Sequence, residues 1–528
     1  MKVRTIWAAG ILLVPGLAGW GAPALAQNLE PRAASGDLST QPASRPSTAE
    51  APEVTAVTHH SITIRGHELR YTATAGFLPL RNEARQIQAN VFYVAYVKDD
   101  ELPANRPVTF AFNGGPGAAS VWLHLGAMGP KRVLLAENGT ALPKTVKLVD
   151  NEFTWLTFTD MVFIDPVGSG YSAVAPGVDA KQFYGIQGDV QSVGQFIRLY
   201  VSQQGRWASP KFLAGESYGT TRAAGLARYL LRKYAMDLNG LILLSSALDF
   251  QTFVYSDEND LPYVVSLPTY TAVAWYHRKL VPELQASLDR TLAQVEQWTL
   301  DEYAPALARG DDLPEPQRKA VIESLHRFTS LSETFIARSD LRVRSSEFAK
   351  ALLRDEDRVV GILDGRVTGY AIDPTTSSID YDPSLALVSG PFTAALQAYL
   401  HTELGFQTDR EYVYLATQAN QSWNWGSAAE GFVNVTDDLR LAMTENPNLR
   451  VFAGMGCFDL TTSYFGQKYT LNHLGLASPL QEHIRLALYP SGHQIYTEES
   501  SLKKLAADAG DFVNTTFSPA SRPPSVDG

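Results

Sequence analysis

The chain has 528 residues, of which 45% are hydrophobic, and its 44 basic and 55 acidic residues give a formal net charge of −11. This hydrophobic fraction allows a large core, and the acidic balance argues against a nucleic-acid-binding protein, which usually has a basic surface. A single cysteine, Cys457, excludes an intrachain disulfide and a zinc site built from several cysteines.

Residues 1–26 have the pattern of a secretory signal peptide. Lys2 and Arg4 precede an apolar run at residues 6–20, and an Ala-Leu-Ala triplet that ends at Ala26 is typical of a cleavage site. A membrane anchor is the alternative, but the run is short and is broken by proline and glycine. No later stretch of the sequence is long and apolar enough to span a bilayer. The sequence therefore predicts export, to the periplasm or the medium, after removal of the signal peptide.

Short apolar runs alternate with helical patterns along the chain, between a flexible lead-in at residues 27–55 and a flexible tail at 517–528. Several runs are apolar throughout, which is typical of strands buried on both faces of a parallel sheet. Helical stretches such as 221–233 separate some of them, and this alternation predicts an α/β fold with a mostly parallel sheet and helices on both faces. The predicted strands lie at residues 61–65, 90–97, 107–113, 161–165, 211–216, 238–244, 450–454 and 484–489.

The pattern becomes mainly helical from about residue 253 to residue 445. Helices are predicted at 282–307 and 315–328, strand signals are sparse, and core strands resume only after this region. We therefore expect one α/β domain, made of residues 56–252 and 446–516, into which residues 253–445 are inserted. We call residues 253–445 the helical insertion.

Ser217 is the candidate nucleophile. It is the central residue of Gly-Glu-Ser-Tyr-Gly at 215–219, which fits the pattern G-x-S-x-G. An apolar strand leads into the motif and a helical pattern leads out of it, and this context predicts the sharp turn that raises a serine above the edge of a sheet. A glycine-rich turn with a bystander serine is the alternative, because the five-residue pattern alone also occurs by chance.

A serine hydroxyl needs a general base, usually a histidine that a carboxylate orients. His493 fits best because it lies directly after the last predicted strand, whereas His483 precedes that strand and would lie at the opposite edge of the sheet. Asp459 follows the preceding strand and is favoured as the acid. Asp249 and Asp165, each of which also follows a strand, are the alternatives.

A glycine-rich loop at 113–117 follows the predicted strand 107–113. An oxyanion hole requires backbone N–H groups aimed at one oxygen, and we expect one from Tyr218, directly after the nucleophile, and one from this loop. A phosphate-binding loop is the competing interpretation, but the Gly-Lys-Ser/Thr ending is missing. The sequence has no metal-ligand spacing such as H-E-x-x-H and no dinucleotide fingerprint, so neither a metal nor a cofactor is expected.

Five segments together resemble the serine carboxypeptidase family. They occur in the family's order and with similar spacing, and they lie at residues 113–117, 165–172, 215–219, 456–459 and 492–493. The resemblance implies an α/β-hydrolase fold in which the helical insertion forms a cap. It also implies release of C-terminal residues from peptides through an acyl-enzyme, often best at acidic pH.

The resemblance assigns a role to each matching residue. Ser217 would be the nucleophile, His493 the general base and acid, and Asp459 the orienting carboxylate. The oxyanion-hole amides would belong to Gly115 and Tyr218.

The resemblance further implies that Asn113 and Glu216 bind the terminal carboxylate of the substrate. A protonated Glu216 can donate a hydrogen bond to that carboxylate. The family has a second acidic residue shortly before a Gly-Pro pair, where this chain has Ala127. This departure leaves the triad intact but weakens the prediction of strict carboxypeptidase specificity. The family's disulfides are absent too, and we expect Cys457 to pack as a small apolar residue.

Three hypotheses follow. The first is an exported serine carboxypeptidase that acts on peptides with a free C-terminus, without a nucleic-acid partner. The second is a related esterase, amidase or acyltransferase, which Ala127 favours. The third is a binding protein that keeps the fold without catalysis, and the presence of Ser217, Asp459 and His493 together argues against it.

Overall fold

The structure, a computed structural model, describes residues 55–140, 145–426 and 431–517. The predicted signal peptide, the lead-in up to residue 54 and the tail from residue 518 lie outside the described residues. Within the described part, no helix has the length and apolar character needed to cross a membrane.

The described strands form one large sheet and two small ones. Their bounds are β1 (Ala56–Ile64), β2 (His67–Arg81), β3 (Ile87–Lys98), β4 (Val108–Phe112), β5 (Lys131–Val133), β6 (Leu148–Asp150), β7 (Asp160–Ile164), β8 (Ala173–Val174), β9 (Lys211–Glu216), β10 (Gly240–Leu244), β11 (Arg358–Val360), β12 (Thr368–Tyr370), β13 (Arg450–Gly456) and β14 (Ile484–Tyr489). The large sheet has the order β1-β2-β3-β7-β4-β9-β10-β13-β14, with β8 beside β3. The six strands from β7 to β14 in this order are parallel, whereas β1, β2 and β3 extend the sheet in antiparallel fashion.

The described α-helices flank the sheet and fill the helical insertion. Their bounds are α1 (Ile186–Gln203), α2 (Tyr218–Tyr234), α3 (Leu261–Tyr276), α4 (Pro282–Gln285), α5 (Leu288–Trp298), α6 (Ala304–Arg309), α7 (Glu315–Thr329), α8 (Glu333–Arg338), α9 (Ser345–Ala351), α10 (Pro383–Thr402), α11 (Thr417–Gln421), α12 (Thr436–Glu445), α13 (Tyr464–Asn472), α14 (Ser478–Gln481) and α15 (Glu499–Phe517).

Both faces of the sheet are buried, because successive side chains of a strand point in opposite directions. In β9, Phe212 and Ala214 belong to the core that contains α10 and α15, whereas Leu213 belongs to the core that contains α1, α2 and α12. The predicted fold class, an α/β fold with a mostly parallel sheet and helices on both faces, is confirmed.

The chain between β10 and β13 is mainly helical. It contains α3 to α12 and the small β11-β12 sheet, and the helices α3, α5, α7 and α9 share a core of their own. This core continues into the start of the chain after β13 through Phe458 and Tyr464. The helical insertion therefore packs directly against the loop that carries one of the candidate catalytic residues.

Two local predictions were wrong. The helix predicted at 282–307 is interrupted at Ser287, which adopts an extended backbone and caps α5, whereas α5 continues through a π-helical turn at Thr299–Tyr303 into α6. The long strand β2 was not predicted. It contains Gly76 and Pro79, which usually interrupt strands, yet it pairs on both sides with β1 and β3.

The topology determines where the site lies. Because parallel strands end at the same edge of a sheet, β4, β9, β13 and β14 deliver their following loops to one edge. These loops begin at Asn113, Ser217, Cys457 and Pro490. Ligands of open α/β sheets bind at this edge.

Candidate active site

Ser217 lies at a strained turn between β9 and α2. Its backbone has φ 58° and ψ −130°, in a region that L-residues rarely adopt, and its N–H donates to the Leu244 carbonyl at 3.0 Å. The flanking glycines are required by space, since a Cβ on Gly215 would lie 2.3 Å from the carbonyl oxygen of Gly219. A Cβ on Gly219 would in turn lie 2.7 Å from the Phe112 carbonyl oxygen. The turn therefore has the geometry of a nucleophile elbow.

His493 and Asp459 form a buried hydrogen-bonded pair. The Nδ1 of His493 lies 2.7 Å from Oδ2 of Asp459, and both side chains are at most 3% exposed. Burial opposes the charge of His493, but the Asp459 carboxylate outweighs it and raises the pKa of His493 above its usual 6.5. With Nδ1 engaged by Asp459, the other ring nitrogen is left for a different partner. His493 and Ser217 line the same cavity.

Asp459 is held by the chain that follows it. The Thr461 and Thr462 N–H groups donate to its Oδ1 at 2.8 and 3.0 Å, and the Thr462 hydroxyl donates to Oδ2 at 2.8 Å. These bonds fix the orientation of the carboxylate toward His493. Neither threonine was singled out from the sequence, although side chains and amides two and three residues after an aspartate commonly make such turns.

A segment of the helical insertion also holds the histidine loop, and no sequence motif predicted this contact. The His493 N–H donates to the Leu363 carbonyl at 2.6 Å, and Arg366 donates to the Pro490 carbonyl and to the Ser491 hydroxyl. The Leu460 N–H donates to the Ile362 carbonyl at 3.0 Å. We call residues 361–366 the strap, because they join the histidine loop to the aspartate loop.

The strap is anchored by Asp382, which caps the start of α10. Its carboxylate accepts from the N–H groups of Ile362 and Leu363, each at 3.1 Å. On the other side, Asp364 pairs with Arg366, and a Cβ on Gly492 would lie 2.5 Å from the Cβ of Asp364. The strap and the histidine loop are thus in close van der Waals contact as well as hydrogen-bonded.

The glycine-rich loop lies directly against the elbow. A Cβ on Gly114 would lie 2.4 Å from the backbone nitrogen of Tyr218, so no larger residue fits there. Gly115, with φ +99°, also lines the cavity with Ser217. The two predicted oxyanion residues, Gly115 and Tyr218, are therefore brought to the same side of Ser217.

Arg222, on α2, supports this loop from behind. It is fully buried, its Nη1 donates to the Asn113 carbonyl at 2.8 Å, and its Nε donates to Asp189 at 2.8 Å. Its guanidinium also lies over the rings of Phe112 and Tyr218, at 5.1 and 5.3 Å from their centroids. The sequence shows an arginine in the helix after the nucleophile motif, but only the structure shows that it is buried and contacts the glycine-rich loop.

Glu216 and Asn113 form a second buried pair beside the nucleophile. The Asn113 amide donates to Oε1 of Glu216 at 2.7 Å, and its own oxygen accepts from the Leu123 N–H at 3.0 Å. Burial raises the pKa of Glu216 from 4.5 to about 7, although the His493 charge and the Asn113 hydrogen bond work in the opposite direction. Glu216 therefore keeps its proton up to a pH well above that at which an exposed glutamate ionises.

These residues surround a narrow cavity of about 40 Å³. Its polar side is formed by Asn113, Glu216, Ser217 and His493, and its other walls are mostly apolar. The apolar walls comprise Ala118, Trp122, Leu363, Leu385 and Leu415. Leu363 belongs to the strap, so the helical insertion contributes to the cavity as well as to the position of the histidine. A larger groove of about 970 Å³ lies on another face, between α1, α2 and Asn424, and Ser217 is not among its lining residues.

The alternatives from the sequence lie in other places. Asp249 caps a short helical turn by accepting from the Gln251 N–H, and His483 precedes β14, at the opposite edge of the sheet. Asp165 accepts from the Ser120 N–H at 2.8 Å, and burial raises its pKa to about 7. None of the three forms the hydrogen bond to His493 that Asp459 forms.

Ala127 and Cys457 are both buried. Ala127 lies in the helical turn that follows the glycine-rich loop, and its side chain has no exposed surface. Cys457 belongs to the core of the helical insertion, and burial raises the pKa of its thiol to about 12. The expected packing of Cys457 as a small apolar residue agrees with this position.

Comparisons with known proteins show which family the chain resembles. Residues 65–319 match the model of the serine carboxypeptidase family. Arabidopsis thaliana serine carboxypeptidase-like 13 is 26% identical over 200 residues, which cover 37% of this chain and 43% of that protein. Mouse lysosomal protective protein is 27% identical over 205 residues, 37% of each chain. The chain thus spans less than half the length of these curated relatives.

A solved structure shows the same fold. It is that of Kex1(delta)p, described as a prohormone-processing carboxypeptidase from Saccharomyces cerevisiae, with a TM-score of 0.52 and 15% identity. The match covers 84% of this chain and 91% of that one. The family match includes Ser217 and Glu216 but ends before Asp459 and His493, which only the fold brings to the same edge. Residues 65–319 are thus similar to the serine carboxypeptidase family, and the described part of the chain has the α/β-hydrolase fold.

Proposed function

We propose that this protein is a serine carboxypeptidase that releases C-terminal residues from peptides through an acyl-enzyme on Ser217. The observation that carries the proposal is the position of Glu216. Glu216 is buried and paired with Asn113, and burial raises its pKa to about 7, so it is protonated below that pH. It lies on the wall of the cavity that Ser217 and His493 share. A neutral carboxyl group beside a nucleophile suits a substrate that carries its own carboxylate, because an ionised Glu216 would repel it.

The proposed chemistry begins with acylation. His493 takes the proton of the Ser217 hydroxyl, whose oxygen attacks the last peptide carbonyl, and Asp459 stabilises the imidazolium that forms. The oxyanion accepts hydrogen bonds from the N–H groups of Gly115 and Tyr218. The tetrahedral intermediate collapses when His493 gives its proton to the leaving amine. The C-terminal amino acid leaves, and the rest of the peptide remains as an ester on Ser217.

Deacylation repeats these steps with water. His493 removes a proton from the water molecule, the water oxygen attacks the ester carbonyl, and the same two amides stabilise the second oxyanion. Collapse returns the proton to the Ser217 oxygen and frees the shortened peptide. The buried His493–Asp459 pair supports this cycle because it holds one ring nitrogen and leaves the other for proton transfer.

The free carboxylate of the substrate is proposed to bind to Glu216 and Asn113. In its protonated form Glu216 donates one hydrogen bond, and the Asn113 amide supplies another donor. The apolar walls of the cavity, including Trp122 and Leu385, support binding of an apolar side chain next to this carboxylate.

The test compares two N-blocked dipeptides that differ only in a free or an amidated C-terminus, together with a simple ester. We expect the free acid to be cleaved with a much higher kcat/KM than the amide, and we expect Ser217→Ala to abolish both reactions. Equal cleavage of the free and amidated peptides would refute the exopeptidase proposal. Undiminished turnover by Ser217→Ala would refute the acyl-enzyme, and inactivity of the wild-type protein on all substrates would favour a binding function.

A second candidate is a related esterase, amidase or acyltransferase. Ala127 favours it, because a second acidic residue is missing from the carboxylate site that the family resemblance implies. This candidate keeps the same Ser217 ester but lets an alcohol or amine, rather than water, remove the acyl group. Transfer of the acyl group to an added alcohol, at the expense of hydrolysis, would distinguish it.

We also propose that the protein is exported, to the periplasm or the medium. The support is the pattern of residues 1–26 in the sequence. N-terminal sequencing of the protein purified from the extracytoplasmic fraction is expected to begin at Gln27. Recovery of the intact N-terminus in the cytoplasm would contradict export.

A further inference from the structure

The hydroxyl of Tyr496 is buried and makes no hydrogen bond of ordinary geometry in the described part of the chain. The residue lies three positions after His493, in a short helical turn, and is 3% exposed. Its hydroxyl faces the side chains of Glu216 and Asn113. Oε2 of Glu216 is also buried and also lacks a partner among the described residues. Two unpaired polar groups of complementary type, a donor and an acceptor, are therefore neighbours.

The ring of Tyr496 packs against Gly126, the residue that precedes Ala127. A Cβ on Gly126 would lie 2.5 Å from two ring carbons of Tyr496, and Ala127 is the next residue. The absence of a side chain at Gly126 leaves room for this large aromatic ring. The ring also borders a small second cavity with Phe392, on the side away from Ser217.

We propose that Tyr496 is the positioning residue of Glu216: its hydroxyl donates a hydrogen bond to Oε2 and supplies the polar partner that Ala127 does not. Tyr496 does not line the cavity that contains Ser217, so it acts on the substrate only through Glu216. The inference rests on the proposed carboxypeptidase function, because it concerns how the same carboxylate site is held.

A phenol and a carboxyl group differ as partners of Glu216. A second carboxylate would repel an ionised Glu216, whereas a phenolic hydroxyl stays neutral and stabilises the ionised form by donating a hydrogen bond. The titratable groups that face Glu216 are His493, Tyr496 and Asp459. Burial, the largest effect, and Asp459 raise the pKa of Glu216, whereas His493 and Tyr496 lower it. The resulting pKa is about 7. Removal of the hydroxyl is thus expected to raise this pKa further.

The direction of this pKa shift distinguishes a positioning role of Tyr496 from a general loss of stability in the variant. Tyr496→Phe keeps the ring against Gly126 and removes only the hydroxyl. Because Glu216 then stays protonated to higher pH, the pH at which KM for the free-acid dipeptide rises should move upward. The expected shift is about one pH unit, the size of one hydrogen bond to a charged group. KM for the ester should not change with pH in this range, and kcat at the optimum should stay within a few-fold.

The experiment measures Glu216 directly as well as through kinetics. Infrared spectroscopy follows the carbonyl stretch of protonated carboxyl groups between pH 5 and 9, and the band that disappears in Glu216→Gln reports Glu216. The matched control is Tyr303→Phe, since the Tyr303 hydroxyl is equally buried but donates to the Leu341 carbonyl in the helical insertion.

Three outcomes are informative. An upward shift of the infrared midpoint in Tyr496→Phe, with the same shift in KM and no shift in Tyr303→Phe, supports the inference. An unchanged or lower midpoint overturns it, even if the wild-type enzyme prefers free acids. If the wild-type protein shows no preference for free acids but the infrared midpoint still rises, the Tyr496–Glu216 contact stands and the proposed function fails.

Discussion

Replacing Glu216 by glutamine keeps the size of a buried side chain and removes its titration. In the folded protein burial raises the pKa of Glu216 to about 7, compared with 4.5 for an exposed glutamate. The folded state therefore binds a proton between these two pH values that the unfolded state has lost. Such a group makes the folded state less stable as the pH rises through this range.

The expected magnitude follows from the two pKa values. Each pH unit between them corresponds to about 1.4 kcal/mol, so ionisation of Glu216 in the folded protein costs about 3 kcal/mol relative to the unfolded chain. Below pH 4.5 both states carry the proton and this cost is absent. Above pH 7 the whole cost is present in the wild-type protein. Glu216→Gln avoids it, so the variant should gain about 3 kcal/mol over the wild type between pH 4 and pH 8.

Urea unfolding at several pH values, followed by tryptophan fluorescence, measures this difference. Other titrating groups such as Asp165, whose pKa burial also raises to about 7, are present in both proteins and cancel. Glu83→Gln, at an exposed turn between β2 and β3, is the control and should show a constant difference from the wild type. A constant difference between Glu216→Gln and the wild type from pH 4 to pH 8 would refute the buried, protonated Glu216.

The other predictions concern the nucleophile side of the cavity and the cysteine. Asp459→Asn should lower kcat on the order of 10³–10⁴-fold while binding of a product peptide persists, because His493 loses the partner that orients its ring; a fall of less than tenfold in steady-state assays would contradict this role. Gly114→Ala should reduce activity and stability together, since a Cβ there would lie 2.4 Å from the Tyr218 nitrogen; normal kcat/KM with an unchanged unfolding midpoint would show that the loop can move aside. The Cys457 thiol, with a pKa raised to about 12, should resist alkylation in the native protein and react only in urea, as mass spectrometry can check; rapid native labelling would contradict its burial.

The sequence predicted the positions of the candidate residues in the fold where a motif and the strand order coincide. G-x-S-x-G needs a strand before it and a helix after it, and β9 and α2 begin and end where the motif requires. His493 and Asp459 are 34 positions apart, yet each follows a parallel strand, and parallel strands end at one edge. Reasoning from strand order was therefore enough to bring the three side chains together, without any knowledge of contacts.

What the sequence did not reveal depends on contacts between distant segments. Arg222 looks like any arginine in an amphipathic helix, and only the fold places its guanidinium beneath the Asn113 carbonyl. The strap has no motif, because its bonds to the histidine and aspartate loops are made mostly by backbone carbonyls, which any sequence provides. The strand β2 was missed for a related reason, since its pairing with β3 continues through Pro79 to Arg81 and outweighs local propensity.

Two carboxyl groups lie near His493, and their surroundings separate their roles. Asp459 accepts hydrogen bonds from two amides and a hydroxyl and is paired with the imidazole of His493. Glu216 accepts a hydrogen bond from Asn113 and has fewer donors around it than Asp459, so burial keeps it protonated. In the proposed mechanism Asp459 orients the base, and a neutral Glu216 meets the substrate carboxylate without repelling it. The number of hydrogen-bond donors around each carboxyl group, rather than its being Asp or Glu, distinguishes the two.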